Sequence, residues 1–390
     1  MYSRRRVFVA ACLGMLMFGC VFTTLGSILP SVIERFGIDK TSAGSLLLLQ
    51  TFGVLLGSIL FGPIVDRYGY KILLAIASAL VVVALEAIAF APSVGWLRAA
   101  VLLIGAAGGA VNGGTNALVA DTSEGERSAG LSALGMFFGL GAVGMPFTVA
   151  SLLDRFSYTT ILAMIGAVFL APIVYTLAIR FPAPKQPQGF PIRAGVTLLR
   201  DPVLLLLAFM IGLQSGAEAT VGGWSATFFR ERLGLEGGRA VYVLSLYSLG
   251  LTLARLVLGF ALRRVAPAAA LRVCLVAGIV GSLSILASST LITAAAGIFL
   301  LGIGLSAGFP ILMGYVGDRY AAISGTAFGV TIAGSLTVGM FLPYLTGFLG
   351  EAYGLRLSFL IVPASLAALV LLLSVAVRRA ATVPAVSIGD

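Results

Sequence analysis

The chain of 390 residues contains no histidine, only three cysteines and few charged side chains. Because histidine is absent, any proton transfer in this protein has to use carboxylates. Cys12, Cys20 and Cys274 lie in apolar segments without C-x-x-C spacing, which indicates small hydrophobic residues and excludes a disulfide framework. Charged residues make up 10% of the chain, whereas a soluble globular protein carries about 25%. The composition is therefore not that of a soluble domain.

Motifs for catalysis and for nucleotide hydrolysis are also missing. The sequence shows no nucleophile beside a general base, no cluster of metal ligands and no phosphate-cradling glycine loop. It predicts a protein that is not an enzyme, has no metal site and no cofactor beyond a coupling ion, and does not use ATP directly.

What the chain has in abundance is apolar sequence. Hydrophobic residues make up 59% of it and the mean hydropathy is +1.08, which predicts an all-α, polytopic protein of the lipid bilayer. A membrane-spanning helix needs about 20 apolar residues. Twelve spans are predicted, at 7–36, 41–65, 71–92, 96–119, 129–153, 158–180, 203–229, 239–262, 269–288, 291–316, 322–349 and 355–377.

The formal charge of +10 is explained by the placement of lysine and arginine in the loops. Most of them fall on the side that holds both termini, and cytoplasmic loops carry the excess of these residues. We therefore expect a multi-pass protein of a bacterial-type inner membrane with both termini in the cytoplasm. No basic stripe with interleaved aromatic residues occurs, so no nucleic-acid partner is predicted.

The longest stretch without a predicted span is 181–202, which is rich in proline and cations. We interpret it as a cytoplasmic linker between an N-terminal six-helix bundle, residues 1–180, and a C-terminal six-helix bundle, residues 203–390. Shifting the chain by 197 residues aligns landmarks in four helices, which favours two parallel repeats. The aligned pairs are Gly62 with Gly259, Gly105 with Gly302, Asp121 with Asp318, and Pro146 with Pro343.

Between predicted spans two and three the chain reads GPIVDRYGYK, from Gly62 to Lys71. This stretch resembles the loop signature of the major facilitator superfamily, and the resemblance covers the whole chain. It implies the major facilitator fold, with twelve transmembrane helices in two pseudo-symmetric six-helix bundles, and a monomer. Asp66 and the cations would lock neighbouring helix ends, and Gly62 would allow close helix approach. We assign gating or conformational roles to Gly62, Asp66, Arg67, Gly69, Lys71, Asp121 and Arg255.

Two further stretches resemble one branch of that superfamily. Span four reads GAAGGAVNGGTNALVAD from Gly105 to Asp121, and span seven carries Glu218 ahead of Gly222, Gly223 and Trp224. With the ALGMFFG stretch of span five, they resemble the fucose:proton symporter branch and its sodium-dependent glucose-transporter-like relatives. The resemblance implies transport of a monosaccharide together with an ion.

Two acids of that branch are missing here. Span one has no acid before Glu34, and Asn112 stands at the span-four position. Glu218 therefore carries the coupling alone, or there is none. Glu86, the other embedded acid, lies in the outer half of span three and is expected to snorkel or to make a structural hydrogen bond.

Glu218 lies near the middle of a long apolar run. A carboxylate at bilayer depth is costly unless it faces water, a partner or a ligand. We therefore predict that Glu218 binds the coupling ion, H⁺ or Na⁺. For Na⁺, carbonyl groups exposed at a break in span seven would supply further oxygen ligands.

The superfamily resemblance implies that spans one, four, seven and ten line a central cavity. Amides, hydroxyls and one acid suit a neutral polyhydroxylated solute, because they form paired hydrogen bonds with neighbouring hydroxyl groups. Aromatic rings would stack on the apolar side of a pyranose. The predicted substrate-binding residues are Thr23, Ser27, Asn112, Asn116, Phe137, Gln214, Glu218, Trp224 and Tyr247.

Several of these residues also have a purely structural interpretation. Asn112 and Asn116 would equally suit hydrogen bonding between packed helices. Trp224 lies off the face of Glu218 unless the glycine pair breaks the helix, and core packing is an equal alternative for Phe137 and Tyr247.

These features predict a secondary active transporter that moves a small neutral sugar-like solute by alternating access, coupled through Glu218 to H⁺ or Na⁺. The alternative is a proton-coupled exporter of hydrophobic compounds, because the stretch from Gly141 to Pro146 loosely resembles a span-five signature of proton-coupled antiporters. A third hypothesis, a sensor or scaffold that does not transport, is disfavoured because the sequence shows no soluble domain to relay a signal.

Overall fold

The computed structural model describes residues 2–122, 127–183, 197–320 and 324–382, and within them every regular element is a helix. Much of the predicted linker 181–202 lies outside the described residues. The helices are α1 (Arg4–Phe36), α2 (Lys40–Ala89), α3 (Val94–Thr122), α4 (Arg127–Leu152), α5 (Tyr158–Ala178), α6 (Pro202–Leu233), α7 (Arg239–Ala261), α8 (Pro267–Ala287), α9 (Leu291–Leu305), α10 (Gly308–Arg319), α11 (Ser324–Gly339), α12 (Phe341–Tyr353), α13 (Leu355–Ser358) and α14 (Ile361–Thr382).

Helix α2 covers predicted spans two and three. Its 50 residues would extend for about 75 Å, whereas the hydrocarbon core of a bilayer is about 30 Å thick. The helix is interrupted at Gly69, whose φ of 81° and ψ of 167° are not helical. A positive φ is strained for a residue with a Cβ, so glycine at this position allows one apolar stretch to bend between two spans.

By length and composition, eleven helices within the described residues can cross a membrane. The interrupted helix α2 counts once among them, and helices α9 with α10 and α11 with α12 each form one crossing. The structure thus confirms an all-helical protein with long apolar helices. The arrangement of twelve spans in two bundles stays a prediction.

Contacts divide the chain into two compact units. As far as they are described, the first holds Met1–Gln188 and Gly223–Ser245, and the second holds Gly189–Gly222 and Leu246–Asp390. The border cuts helices α6 and α7. The predicted bundles, 1–180 and 203–390, instead divide the chain once, at the linker. They stay a prediction.

In the first unit, glycines bring helix backbones into direct contact. A Cβ at Gly57 or Gly109 would collide with the backbone of the facing helix, α3 or α2 respectively. Likewise, a Cβ at Gly19 of α1 would collide with the backbone of α4, and a Cβ at Gly141 of α4 would collide with the backbone of α1. Close packing of this kind gives van der Waals contact between helices, which stabilises them where no hydrophobic driving force exists.

Arg35 joins three helix ends of the first unit. Its Nη1 donates to the carbonyl of Ala89 at 3.0 Å and to the hydroxyl of Tyr158 at 2.8 Å, and its Nη2 donates to the carbonyl of Ala91 at 3.2 Å. The last carbonyls of a helix have no partner within the helix and favour a cation. Arg35 at the end of α1 therefore caps α2 and holds α5 beside it.

In the second unit, predicted span ten is divided into α9 and α10 at Ser306 and Ala307. Pro310 explains the interruption, because it has no N–H to donate to the carbonyl of Ser306 four residues earlier. The carbonyl groups at this break are free to accept hydrogen bonds from other helices. Gly304 faces the backbone of Gly278, so α8 and α9 pack closely just before the break.

Candidate functional site

Glu218 and Gln214 lie one turn apart on α6, within the second unit. The Nε2 of Gln214 donates to Oε1 of Glu218 at 3.3 Å, as the i, i+4 spacing predicts. Gln214 is fully buried, whereas the Glu218 side chain keeps 13% of its surface exposed. Glu218 is therefore embedded in the membrane-spanning region with only a small part of its side chain exposed.

Arg255 of α7 forms an ion pair with Glu218. Its Nη2 lies 3.2 Å from Oε1 and 3.4 Å from Oε2 of the carboxylate. The Nε of Arg255 donates to the carbonyl of Ser306 at 3.4 Å, and 30% of the side-chain surface is exposed. An ion pair at this depth lowers the cost of placing either charge in the membrane.

The break in span ten completes this cluster. The Nε2 of Gln214 donates to the carbonyl of Leu305 at 2.6 Å, and Arg255 uses the neighbouring carbonyl of Ser306. Gly308, just after the break, leaves the space that the Gln214 side chain fills. The unwound backbone thus holds the two side chains that contact Glu218. We call Gln214, Glu218, Tyr247 and Arg255 the charged cluster.

Two buried polar atoms of the charged cluster have no hydrogen-bond partner among the described residues. They are Oε1 of Gln214 and the hydroxyl of Tyr247. Tyr247 is 4% exposed and lies within electrostatic range of both Glu218 and Arg255. Buried polar groups without partners are rare, and each one calls for an explanation. Here they provide acceptors close to the one acid of the cluster.

Asn112 and Asn116 of α3 form a polar pair in the first unit. The Nδ2 of Asn116 donates to the backbone carbonyl and to Oδ1 of Asn112, both at 2.9 Å, and both side chains are half-buried. Thr115 is fully buried, with its hydroxyl against Met15 and the carbonyl of Asn112. The Nδ2 of Asn112 and the Oδ1 of Asn116 keep hydrogen-bonding capacity, which the predicted solute contact requires.

Thr23 and Ser27 of α1 are almost fully buried. The hydroxyl of Thr23 donates to the carbonyl of Gly19 at 3.2 Å, and that of Ser27 donates to the carbonyl of Thr23 at 2.7 Å. Both donors are therefore used within the helix. Their predicted contact with a solute stays a prediction and would have to use the oxygen lone pairs.

The predicted aromatic residues lie in different surroundings. Phe137 is half-buried against the core of the first unit. Trp224 is fully buried and belongs to the first unit, whereas Glu218 on the same helix belongs to the second unit. Helix α6 runs through Gly222 and Gly223 without a break, so the expected interruption of span seven is wrong, and the interruption lies in span ten.

Besides Arg255, two of the residues assigned to gating, Asp121 and Arg67, contact tyrosines of α2. The hydroxyl of Tyr70 donates to Asp121 at 2.5 Å, which joins α2 just after its bend to the end of α3. The Arg67 guanidinium lies 5.2 Å from the ring centre of Tyr68. No described atom lies within 4 Å of the position of a Cβ on Gly62, so the close helix approach expected there is absent from this conformation.

Sequence reasoning missed the pairing of Arg255 with Glu218 and treated Arg255 as a gating or packing residue. The signal was present, because a buried acid requires a compensating partner and Arg255 is the cation in the interior of predicted span eight, whose other arginine, Arg239, is its first residue. Sequence reasoning considered Phe138, with Phe137, as an aromatic residue for stacking on the solute, but it missed Phe18 and Phe22, whose ring centres lie with that of Phe138 5.6 to 6.4 Å apart.

No group of three or more acidic, cysteine or histidine side chains that could hold a metal ion occurs in the described part of the chain. A buried ion pair beside a discontinuous helix, within a set of long apolar helices, is typical of secondary transporters. The model of the Major Facilitator Superfamily matches residues 11–330. The chain belongs to this superfamily of membrane transporters, and the prediction that it is not an enzyme is confirmed.

Three relatives share part or most of the chain. The uncharacterised transporter y4wD of Sinorhizobium fredii is 26% identical over 90% of this chain and 92% of its own length. The 4-hydroxybenzoate transporter PcaK of Pseudomonas aeruginosa is 29% identical over 43% of this chain and 37% of its own length. The multi-drug resistance efflux pump PmrA of Streptococcus pneumoniae is 23% identical over 56% of this chain and 57% of its own length.

Solved structures share the fold. The nucleoside transporter NupG superposes with a TM-score of 0.80 at 16% identity, over 96% of this chain and 99% of that one. A D-xylose-proton symporter superposes with a TM-score of 0.78 at 13% identity, over 94% and 96% of the two chains. At these identities the likeness shows the fold alone.

Proposed function

We propose that this protein is a proton-coupled secondary transporter in which Glu218 carries the proton. The observation behind the proposal is the ion pair of Glu218 with Arg255 inside the membrane-spanning region. On insertion scales a single charged side chain at the centre of a span costs about 2.5–3.5 kcal/mol. A carboxylate that exchanges its proton can alternate between an ionised form, which pairs with Arg255, and a neutral form, which releases Arg255.

The hydrogen bonds of the charged cluster favour H⁺ over Na⁺. A protonated Glu218 becomes a donor and needs an acceptor, and in the described part of the chain both Oε1 of Gln214 and the Tyr247 hydroxyl lack hydrogen-bond partners. A sodium ion would instead have to sit beside the guanidinium of Arg255, which repels it. The break in span seven that was to supply sodium ligands is absent as well.

For the solute we propose a small hydroxylated, sugar-like molecule that contacts Asn112 and Asn116. The half-buried amides keep one donor and one acceptor for neighbouring hydroxyl groups. The nucleoside transporter and the D-xylose symporter, which share the fold, also carry hydroxylated solutes by their names. The resemblance of spans four and seven to the fucose symporter branch supports the same solute class.

We further propose alternating access by twelve spans in two six-helix bundles, in a bacterial-type inner membrane with both termini in the cytoplasm. The distribution of lysine and arginine between the loops supports this orientation.

The second candidate function is proton-coupled export of hydrophobic compounds. It is favoured by the relationship to the efflux pump PmrA. It predicts resistance to such compounds on expression and no effect of Asn112→Ala, whereas import of a hydroxylated solute predicts weaker solute binding in that variant.

The test is uptake into proteoliposomes with a proton gradient imposed in the absence of sodium. Wild type should concentrate the solute, and Glu218→Gln should only equilibrate it, because the amide keeps the shape of the side chain but cannot exchange a proton. Undiminished accumulation by Glu218→Gln would refute the coupling role of Glu218. Glu351→Gln, at the exposed end of α12, is the matched control.

A further inference from the structure

The proposed function accounts for Arg255 while Glu218 is ionised, but it names no partner for the guanidinium once Glu218 is protonated. In the described part of the chain, Glu218 is the one acid within ion-pair distance of Arg255. When Glu218 takes up a proton, the guanidinium stays charged because arginine does not deprotonate in proteins. A neutral solute would leave that charge without compensation at membrane depth, which is strongly unfavourable.

The guanidinium has donors to spare for another acceptor. Its Nη2 contacts the carboxylate and its Nε contacts the carbonyl of Ser306, whereas Nη1 donates to no described residue. The side chain is 30% exposed, more than that of Glu218. Arginine presents its N–H groups as a planar fork that matches a carboxylate with two hydrogen bonds. A carboxylate of the solute is therefore a suitable replacement for Glu218.

The charged cluster also accommodates the displaced proton. The titratable and charged groups within electrostatic range of Glu218 are Arg255 and Tyr247. Among the described residues, the Tyr247 hydroxyl and Oε1 of Gln214 are buried without hydrogen-bond partners. Gln214 is held in place by its donation to the carbonyl of Leu305. The charged cluster thus contains two unused acceptors for the proton of a neutral Glu218.

We propose that the transported solute is a small hydroxylated carboxylate, a sugar acid or hydroxy acid, whose carboxylate binds Arg255 while Glu218 holds the proton. This inference rests on the proposed function and replaces the neutral solute predicted from sequence. One proton from the medium joins the Glu218 carboxylate and is released on the other side, so a monocarboxylate and a proton cross together with no net charge. The name of PcaK, a 4-hydroxybenzoate transporter, shows that one relative carries a carboxylate.

The test uses the full-length protein in proteoliposomes with three carboxylates, D-gluconate, L-lactate and 4-hydroxybenzoate, and two neutral solutes, D-glucose and D-xylose. We expect uptake of at least one carboxylate, driven by an inward proton gradient and unchanged by a potassium diffusion potential. Uptake of a neutral solute with a proton would instead move one positive charge and respond to that potential. Arg255→Gln should lower carboxylate uptake by roughly 100-fold, whereas Arg255→Lys should retain part of it.

The variant Arg255→Gln leaves Glu218 without its ion-pair partner. The double variant Glu218→Gln with Arg255→Gln removes both charges and is the control for misfolding of Arg255→Gln. We expect it to fold and to carry no carboxylate. Exposed Arg272 of α8 provides the control Arg272→Gln, which should transport like wild type. Proton-driven uptake of a neutral solute, with every carboxylate inactive, overturns the inference but keeps the proposed function. Uptake that ignores the proton gradient for all five solutes overturns the proposed function itself.

Discussion

The two units accommodate polar side chains within apolar helices in different ways. In the first unit, Asn116 donates to the backbone carbonyl and to Oδ1 of Asn112, and neither side chain carries a charge. In the second unit, Glu218 and Arg255 carry opposite charges and depend on each other. A neutral pair can stay in place through a transport cycle, whereas an ion pair changes with every proton that binds. On the proposed mechanism, proton coupling therefore belongs to the charged cluster of the second unit, and the amide pair of the first unit takes no part in it.

The most direct test of this difference between the two units is to remove one charge of the ion pair. Arg255→Ala should lower the unfolding free energy by about 2 kcal/mol, because the remaining carboxylate is partly buried without its partner. Neutralising both residues, Glu218→Gln with Arg255→Gln, should restore most of that loss, and thermal unfolding of the purified protein measures both. Equal destabilisation by the single and the double variant would mean that the two residues are not energetically coupled.

The neutral pair should show a smaller effect that concerns the solute alone. Asn112→Ala should weaken solute binding by about tenfold, because one hydrogen bond to a neutral group contributes about 0.5–1.5 kcal/mol. The number of protons carried with each solute molecule should not change. Uptake at varied solute concentration, with proton flux recorded in parallel, separates the two quantities. Thr337→Ala, at an exposed site on α11, is the control.

Helix packing in the first unit can be tested apart from either polar pair. Gly109→Ala should destabilise the protein by about 1–3 kcal/mol, because its Cβ would collide with the backbone of Val54. Gly144→Ala is the matched control, since no described atom lies within 4 Å of its added Cβ. We expect Gly144→Ala to be neutral or slightly stabilising. Indistinguishable melting temperatures for the two variants would contradict the close approach of α2 and α3.

The smallest effect concerns a hydrogen bond between a tyrosine and an aspartate, which occurs in each unit. In the second unit this bond lies at the end of α10. The Tyr320 hydroxyl donates to Asp201 at 2.7 Å, as Tyr70 does to Asp121. Burial and this hydrogen bond raise the pKa of Tyr320 to about 12, against about 10 in an unfolded chain. The stabilisation is therefore complete below pH 10 and is lost as the pH rises towards 12.

Tyr320→Phe removes that contribution, of about 1 kcal/mol, and with it the change between pH 10 and pH 12. Melting curves of both proteins across this range measure the effect, and a gap that stays constant up to pH 12 would contradict it. Tyr70→Phe shows whether the corresponding pair of the first unit contributes similarly to stability at neutral pH.

Much of the fold could be predicted from the sequence. Hydropathy places the long helices because the bilayer imposes one length on every span. Predicted spans two and three are separated by residues 66–70, and Gly69 in this interval adopts the positive φ that glycine tolerates. The choice of Glu218 followed from the cost of a buried acid, and its surroundings in the structure make that choice chemically coherent.

The rest could not be predicted from residues taken one helix at a time. The sequence offers Arg255 as a partner for Glu218, but the contact itself depends on how α6 and α7 rotate about their axes, which their apolar sequences do not determine. The glycine pair of span seven suggested a break, yet the break occurs in span ten, where Pro310 withholds an N–H from the carbonyl of Ser306. A proline removes a hydrogen bond outright, whereas a glycine only weakens the preference for a helix.

The measurement that tests the central claim most directly is proton movement caused by the solute. Proteoliposomes that contain a pH-sensitive dye, with no imposed gradient, are supplied with a transported solute from outside. For wild type we predict acidification of the lumen as the solute enters, and for Glu218→Gln we predict solute entry without acidification. Acidification by Glu218→Gln at the rate of wild type would contradict the account, because the proton would then travel through another group.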